Sequence, residues 1–270
     1  MTVEFLLNGN GINLYNYENS MRNPNSEFLG SANNSIFSNQ RISGSGYSDN
    51  RSINPNGKID KPFFQGDDIS DCWLLSAIDG IAATTNGRRL LNDIVTIKPN
   101  GDIQVKLLGA GKVYTYSDRY LKSRNDLADG DLDVRAIELA MADYMKENPQ
   151  RGKNTINNNV PWIAFKLLSG NLGITHEFED SNTVELTDKI IDKFNRDNYV
   201  AIVWKQNKKS KTVKTREGDE IRLFGNHTYT VKGADLKYVY LMNPFDSSKI
   251  ISVSREDFKS FFNRLNELYL

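Results

Sequence analysis

The chain has 270 residues, 39% apolar and 25% charged, which is enough to bury one sizeable core or two modest ones. Its 34 basic and 34 acidic residues cancel to a net charge of zero, so nothing points to nucleic acid, and no apolar run has the length of a membrane span. A single cysteine excludes an internal disulfide framework.

The first sixty residues contain 13 Asn, 9 Ser and 6 Gly, residue types that favour turns over packed elements. Residues 1–60 therefore read as an irregular arm, a disordered leader by composition. The sharper alternatives are a propeptide lying across a cleft, in intramolecular contact with it, and an export segment. Phe28, Leu29, Ile36, Phe37 and Ile42 are the apolar residues that would pin the arm to the core. Met1 to Leu7 has too few apolar residues and no basic flank for a secretory signal. The expected location is the cytoplasm, or outside the cell after export by a specialised secretion system without a cleavable signal.

From Cys72 to about Ala83 the pattern is apolar almost all round, which predicts a buried helix. Ile94 to Ile97 and Ile103 to Leu107 flank Lys98-Pro99-Asn100-Gly101 as a hairpin, and Val113 to Tyr116 reads as a further strand. Ala136, Ile137, Ala140, Met141 and Tyr144 recur at helical spacing and stop before Pro149. A second helix runs from Pro161 to Gly170, and Ile190, Ile191 and Phe194 mark a third. Tyr199 to Trp204 reads as a buried strand, followed by strands at Ile221 to Phe224, Thr228 to Val231, Tyr238 to Met242 and Ile250 to Val253. Phe258, Phe261, Phe262, Leu265 and Leu268 predict a closing amphipathic helix, capped by Ser254 with Asp257 three residues on. The fold class is thus α+β, with a helical subdomain over 61–175 and a β-rich subdomain over 176–270.

Chemistry concentrates at three places. Cys72 sits where the acidic loop Asp67-Asp68-Ile69-Ser70-Asp71 turns into an apolar helix, so the helix dipole and unpaired N–H groups would favour its thiolate. His227 opens a strand, and Asn243 ends the next one. An imidazole that takes a thiol proton, with an amide oxygen fixing the ring through its other nitrogen, is the chemistry of a Cys-His-Asn triad. For a lone cysteine without such partners, a small buried core residue would be the better reading.

Three segments resemble the protease core of the calpain family of papain-like cysteine endopeptidases. Gln65-Gly66 with Asp71-Cys72-Trp73-Leu74-Leu75-Ser76-Ala77-Ile78 is similar to Q-G-x-x-G-D-C-W-L-L-A-A, His227-Thr228-Tyr229-Thr230-Val231 to G-H-A-Y-S-V, and Asn243-Pro244-Phe245 to N-P-W. Ala136-Ile137-Glu138-Leu139-Ala140-Met141-Ala142 and Ser254-Arg255-Glu256-Asp257-Phe258 are weaker echoes. The likeness covers roughly residues 60 to 270 and implies a bacterial relative with a papain-like fold, its active site in the groove between the two subdomains. It implies Cys72 as nucleophile, His227 as base, Asn243 as orienting residue and Gln65 as an oxyanion donor, acting on a protein or peptide substrate. Ser70 replaces the family glycine, one extra residue separates Gln65 from Cys72, and Phe245 replaces a tryptophan as the shield of the Asn243 to His227 bond. Asn226 before the histidine is a change of little chemical consequence.

Two other classes stay open: a deamidase or transglutaminase-type acyl-transfer toxin on the same scaffold, and a catalytically weak relative that binds peptides. No cofactor or metal is called for by the residues, and calcium enters by resemblance alone. Asp129, Asp131 and Asp133 are spaced as in the start of a calcium loop but lack its later glycine and glutamate, so they read as a solvated turn. The run Lys205, Lys208, Lys209, Lys211, Lys214 and Arg216 reads as a solvated hairpin tip. His176 reads as a surface histidine, and Trp73 as packing between the halves.

Overall fold

The computed structural model describes residues 56–178, 190, 193 and 198–270. The arm up to residue 55, and Ile191 and Phe194 of the expected third helix, lie outside the described residues. The elements in order are β1 (Phe63–Phe64), α1 (Cys72–Ala82), α2 (Thr85–Ile94), β2 (Val95–Ile97), β3 (Ile103–Leu107), β4 (Lys112–Tyr116), α3 (Asp118–Ser123), β5 (Asp129–Gly130), α4 (Leu132–Glu147) and α5 (Pro161–Ser169). Then come β6 (Ile174–Glu177), β7 (Tyr199–Trp204), β8 (Lys211–Lys214), β9 (Glu220–Leu223), β10 (Thr228–Ala234), β11 (Tyr238–Asn243), β12 (Asp246–Ser254), α6 (Arg255–Phe261) and β13 (Arg264–Tyr269). The class is α+β, with antiparallel sheets.

The principal sheet has six strands in the order β12-β11-β10-β7-β13-β6. A three-stranded meander, β2-β3-β4, belongs to the helical part of the chain. Two apolar cores follow this division. One gathers α1, α2, α4, α5 and the meander, and reaches the sheet at Val200, Ile202, Met242 and Leu268. The other lies within the β-rich part, around Tyr229, Leu241, Phe258, Phe262 and Leu265.

Helix α1 is the pivot between them. Trp73, Leu74, Leu75, Ala77, Ile78 and Ile81 are all inaccessible, as expected for a helix apolar on every side. The indole of Trp73 donates to the Ile156 carbonyl at 2.8 Å, so its one polar atom is satisfied inside the helical half. Gly80 lets the helix lie directly on the sheet, since a Cβ there would fall 2.6 Å from Val200 Cγ1. Across the same contact Lys232 Nζ pairs with both oxygens of Asp79 at 3.0 Å.

Several expectations need correction. The closing helix stops at Phe261, and Arg264–Tyr269 is an interior strand between β7 and β6. Leu265 and Leu268 continued the helical spacing of the phenylalanines, but their backbone is pulled into a sheet that needs a partner on each side. The lysine run is in part a strand, β8, whose Lys211 pairs with Asp257 at 2.8 Å. His176 is no isolated surface residue: its Nε2 lies 2.5 Å from the fully buried Glu267, which also takes Lys193 at 2.6 Å.

Of the three aspartates Asp129 is exposed, as expected of a solvated turn, but the other two are not. Asp131 and Asp133 are buried. Asp131 caps α4 through Asp133 and Val134 N–H and also accepts from Asp60 N at 3.2 Å and Lys61 N at 3.1 Å. Asp133 takes the N–H groups of Asn56 at 3.0 Å and Gly57 at 3.2 Å. These carboxylates therefore fasten the stretch leading to β1 onto the head of α4.

Candidate active site

Cys72 is the first residue of α1, on the turn whose Asp71 carbonyl accepts Leu74 N at 2.8 Å and Leu75 N at 3.2 Å. His227 precedes the first residue of β10. It is aimed by a tight approach: Asn226 adopts φ 51°, a left-handed conformation that asparagine tolerates, and Asn226 N donates to Lys205 O at 2.9 Å. Gly225 is required beside it, because a Cβ would meet Asn207 O at 2.0 Å. Asn243 ends β11, where the register shifts before the turn into β12.

His227 Nε2 and Asn243 Oδ1 are 2.8 Å apart. The same Oδ1 accepts Phe245 N–H at 3.1 Å, which identifies it as the oxygen of the amide. An amide oxygen only accepts, so Nε2 carries the proton and Nδ1 keeps its lone pair. Phe245 lies on the imidazole with ring centroids 4.4 Å apart and 16° between planes, while Phe224 and Tyr229 present edges to it. The phenylalanine thus covers the bond between the ring and its orienting amide.

Cys72 meets β10 one residue beyond the histidine. Thr228 faces the sulfur with its hydroxyl and backbone N–H, and both act to hold the thiol pKa down. The same hydroxyl lies 3.0 Å from Ser76 Oγ, and Thr230 Oγ1 donates to Ser76 O at 2.8 Å. Among the described residues no hydrogen bond joins sulfur to imidazole. Thr228 and Ser76 were not singled out from sequence; their only signal was a hydroxyl one helical turn from the cysteine and another beside the histidine.

The electrostatics correct one expectation. Burial pushes the Cys72 thiol up, the Asp71 charge adds to this, and hydrogen bonds from Thr228 and the Trp73 N–H oppose it. Burial likewise brings His227 down to about 4, against the smaller lift from Asn243. In this conformation desolvation outweighs the helix dipole, so the pair rests as neutral thiol and neutral imidazole rather than as an ion pair.

Gln65 reaches the site by backbone and side chain. Its N–H donates to Pro244 O at 2.9 Å, beside Asn243, and Phe63 N donates to Ser247 Oγ at 2.8 Å. The extra residue before the cysteine is absorbed by a turn closed from Ile69 N to Gly66 O at 3.4 Å. One Gln65 Nε2 hydrogen is taken by Ile69 O at 2.7 Å, which leaves the other for a ligand. The four expected residues are thus linked pairwise, Gln65 to the turn after Asn243, Asn243 to His227, and Cys72 to the residue after His227.

Asp131 and Asp133 are not arranged as calcium ligands. The carboxylates of Asp131 and Asp133 already serve backbone N–H groups, and among the described residues no group of three or more His, Cys, Asp or Glu is placed to hold a metal. No described helix is long and apolar enough to cross a membrane. In comparisons with known proteins, no family model matches the chain, and no curated protein matches it.

Proposed function

We propose that this chain is a calpain-like cysteine endopeptidase with a papain-like arrangement of its two halves, hydrolysing peptide bonds of a protein substrate. The observation that carries the reading is the 2.8 Å bond from His227 Nε2 to Asn243 Oδ1, which leaves Nδ1 as the free base at the head of a strand packed against the cysteine's helix. Nδ1 takes the Cys72 proton, the thiolate attacks the scissile carbonyl, and the imidazolium then protonates the leaving amine. Water, deprotonated by the same ring, hydrolyses the acyl-enzyme. The Cys72 N–H and the second Gln65 Nε2 hydrogen are the donors for the oxyanion.

Because the resting pair is neutral, substrate binding must bring ring and sulfur into contact, so that proton transfer and attack are coupled. The test is incubation of the purified chain with an unfolded protein, with and without an epoxide inhibitor of thiol proteases, followed by mass spectrometry. Inhibitor-sensitive cleavage that vanishes in Cys72→Ala and His227→Ala supports the reading. Covalent capture of the epoxide without any cleavage, or deamidated glutamines with an intact backbone, overturns it.

The neutral pair with its thiol engaged by Thr228 favours a second reading, a peptide-binding relative with little turnover. Equal alkylation rates of Cys72 in wild type and His227→Ala would select it. Asn243, rather than an aspartate, speaks against the deamidase or transglutaminase alternative.

A further inference from the structure

Behind the nucleophile lies a pair of acids that the reaction above does not use. Asp71 and Glu138 are both fully buried. Among the described residues neither Asp71 side-chain oxygen has a hydrogen-bond donor, nor has Glu138 Oε1, while Glu138 Oε2 accepts Ala128 N–H at 2.7 Å. The two carboxyl groups meet each other. Two carboxylates touching away from water repel, and each is costly to desolvate; one shared proton removes the repulsion and supplies the missing hydrogen bond.

We propose that Asp71 and Glu138 form a proton-sharing carboxyl pair that holds the Cys72 end of α1 against α4 and sets the charge beneath the nucleophilic sulfur. The role rests on the thiol-hydrolase reading given above. With one proton the pair carries a single negative charge, which opposes the thiolate next door. A second proton, taken from solvent, leaves both acids neutral and lifts that opposition. Burial brings Asp71 up to about 7 and Glu138 well above its usual range, so the exchange falls near neutrality. Among the described residues the other charged or titratable groups acting on the pair are the Cys72 thiol and Arg135, whose guanidinium acts on Glu138 from one turn earlier in α4 and also donates to the Arg124 carbonyl.

Asp71 and Glu138 are positioning residues, and two substitutions should push the sulfur in opposite directions. Asp71→Asn removes the charge, whereas Glu138→Gln gives Asp71 an amide donor and keeps it ionised. The experiment follows the rate of iodoacetamide alkylation against pH in the full chain, where Cys72 is the sole cysteine. Wild type should rise through neutrality less steeply than one ionisation allows. Asp71→Asn should alkylate roughly three- to tenfold faster at about pH 8, and Glu138→Gln slower by a similar factor at about pH 6, equivalent to half to one unit of thiol pKa.

Superposable profiles, or both variants displaced the same way, overturn the proposal. Should a variant fail to fold, the carboxyl-carbon chemical shifts of labelled wild type decide: coupled titration near neutrality supports the shared proton, and two independent titrations in the ordinary carboxylate range overturn it. His227→Ala in the same assay separates the two ideas. An unchanged rate there, beside displaced Asp71→Asn and Glu138→Gln profiles, removes the hydrolase reading and leaves the acid pair.

Discussion

Phe245 lies flat against His227, 4.4 Å between ring centroids, although 45% of the phenylalanine is exposed to solvent. A large apolar residue kept at the surface in this way is better explained by what it covers than by its own burial. Phe245→Ala should admit water to the His227 to Asn243 bond, raise the His227 pKa from about 4 towards its ordinary value, and slow proton transfer about tenfold. NMR of the ring protons checks this, since His176 is the only other histidine to assign. An unmoved titration would deny the shielding role.

The same histidine makes stability depend on pH. Its folded pKa of about 4 lies below the free value of 6.5, so between these limits the unfolded chain binds more protons. Its contribution is complete above about pH 6.5, falls as the solution is acidified, and is gone near pH 4, a change of about 3 kcal/mol. Asp71 acts with the opposite sign. Raised from 3.8 to about 7, it holds its proton longer in the folded chain, and its contribution is lost as pH rises through that window. Urea midpoints of His227→Gln against wild type, taken at about pH 4 and about pH 7, isolate the histidine. Relative to the variant, wild type should lose about 3 kcal/mol between the neutral and the acid end.

Gly80→Ala should destabilise the chain by about 1–3 kcal/mol, because the new methyl would fall 2.6 Å from Val200 Cγ1 on a strand held from both sides. Adding Val200→Ala should recover part of the loss. Denaturant melts of the two variants check both statements, and a single variant as stable as wild type would mean that α1 sits less tightly on the sheet than described.

Asp131→Ala removes the cap of α4 and two acceptor bonds to the stretch before β1 at once. A loss of about 2 kcal/mol is expected, together with faster tryptic cleavage after Lys58. Asp131→Asn, which keeps an oxygen but not the charge, should fall between the two. Mass spectrometry of a timed digest reads the order of the three.

What was legible in the sequence was local. The apolar run after Cys72, the continuous apolar stretch Tyr199–Trp204 and the cap at Ser254 each specify their element without help from the rest of the chain. Helix α2 was not seen, since Thr85–Ile94 carries an Asn-Gly pair inside it; it forms because Thr84 Oγ1 accepts Gly87 N at 3.0 Å and because Leu91 and Ile94 find a core. Strand β13 was misread because Glu267, a charge that should face water, is buried against His176 and Lys193. At the site, residue types and chain order pointed to Cys72, His227 and Asn243, but not to the neutral resting state, which depends on burial. Asp71 and Glu138 lie 67 positions apart (138 minus 71), and only the fold brings them together.

Two bonds from the segment before Cys72, Gln65 N to Pro244 O and Phe63 N to Ser247 Oγ, tie it to the turn that follows Asn243. The helical and β-rich parts of the chain are therefore fastened to each other on that side. A hinge that swung the two halves apart there would have to break both bonds first.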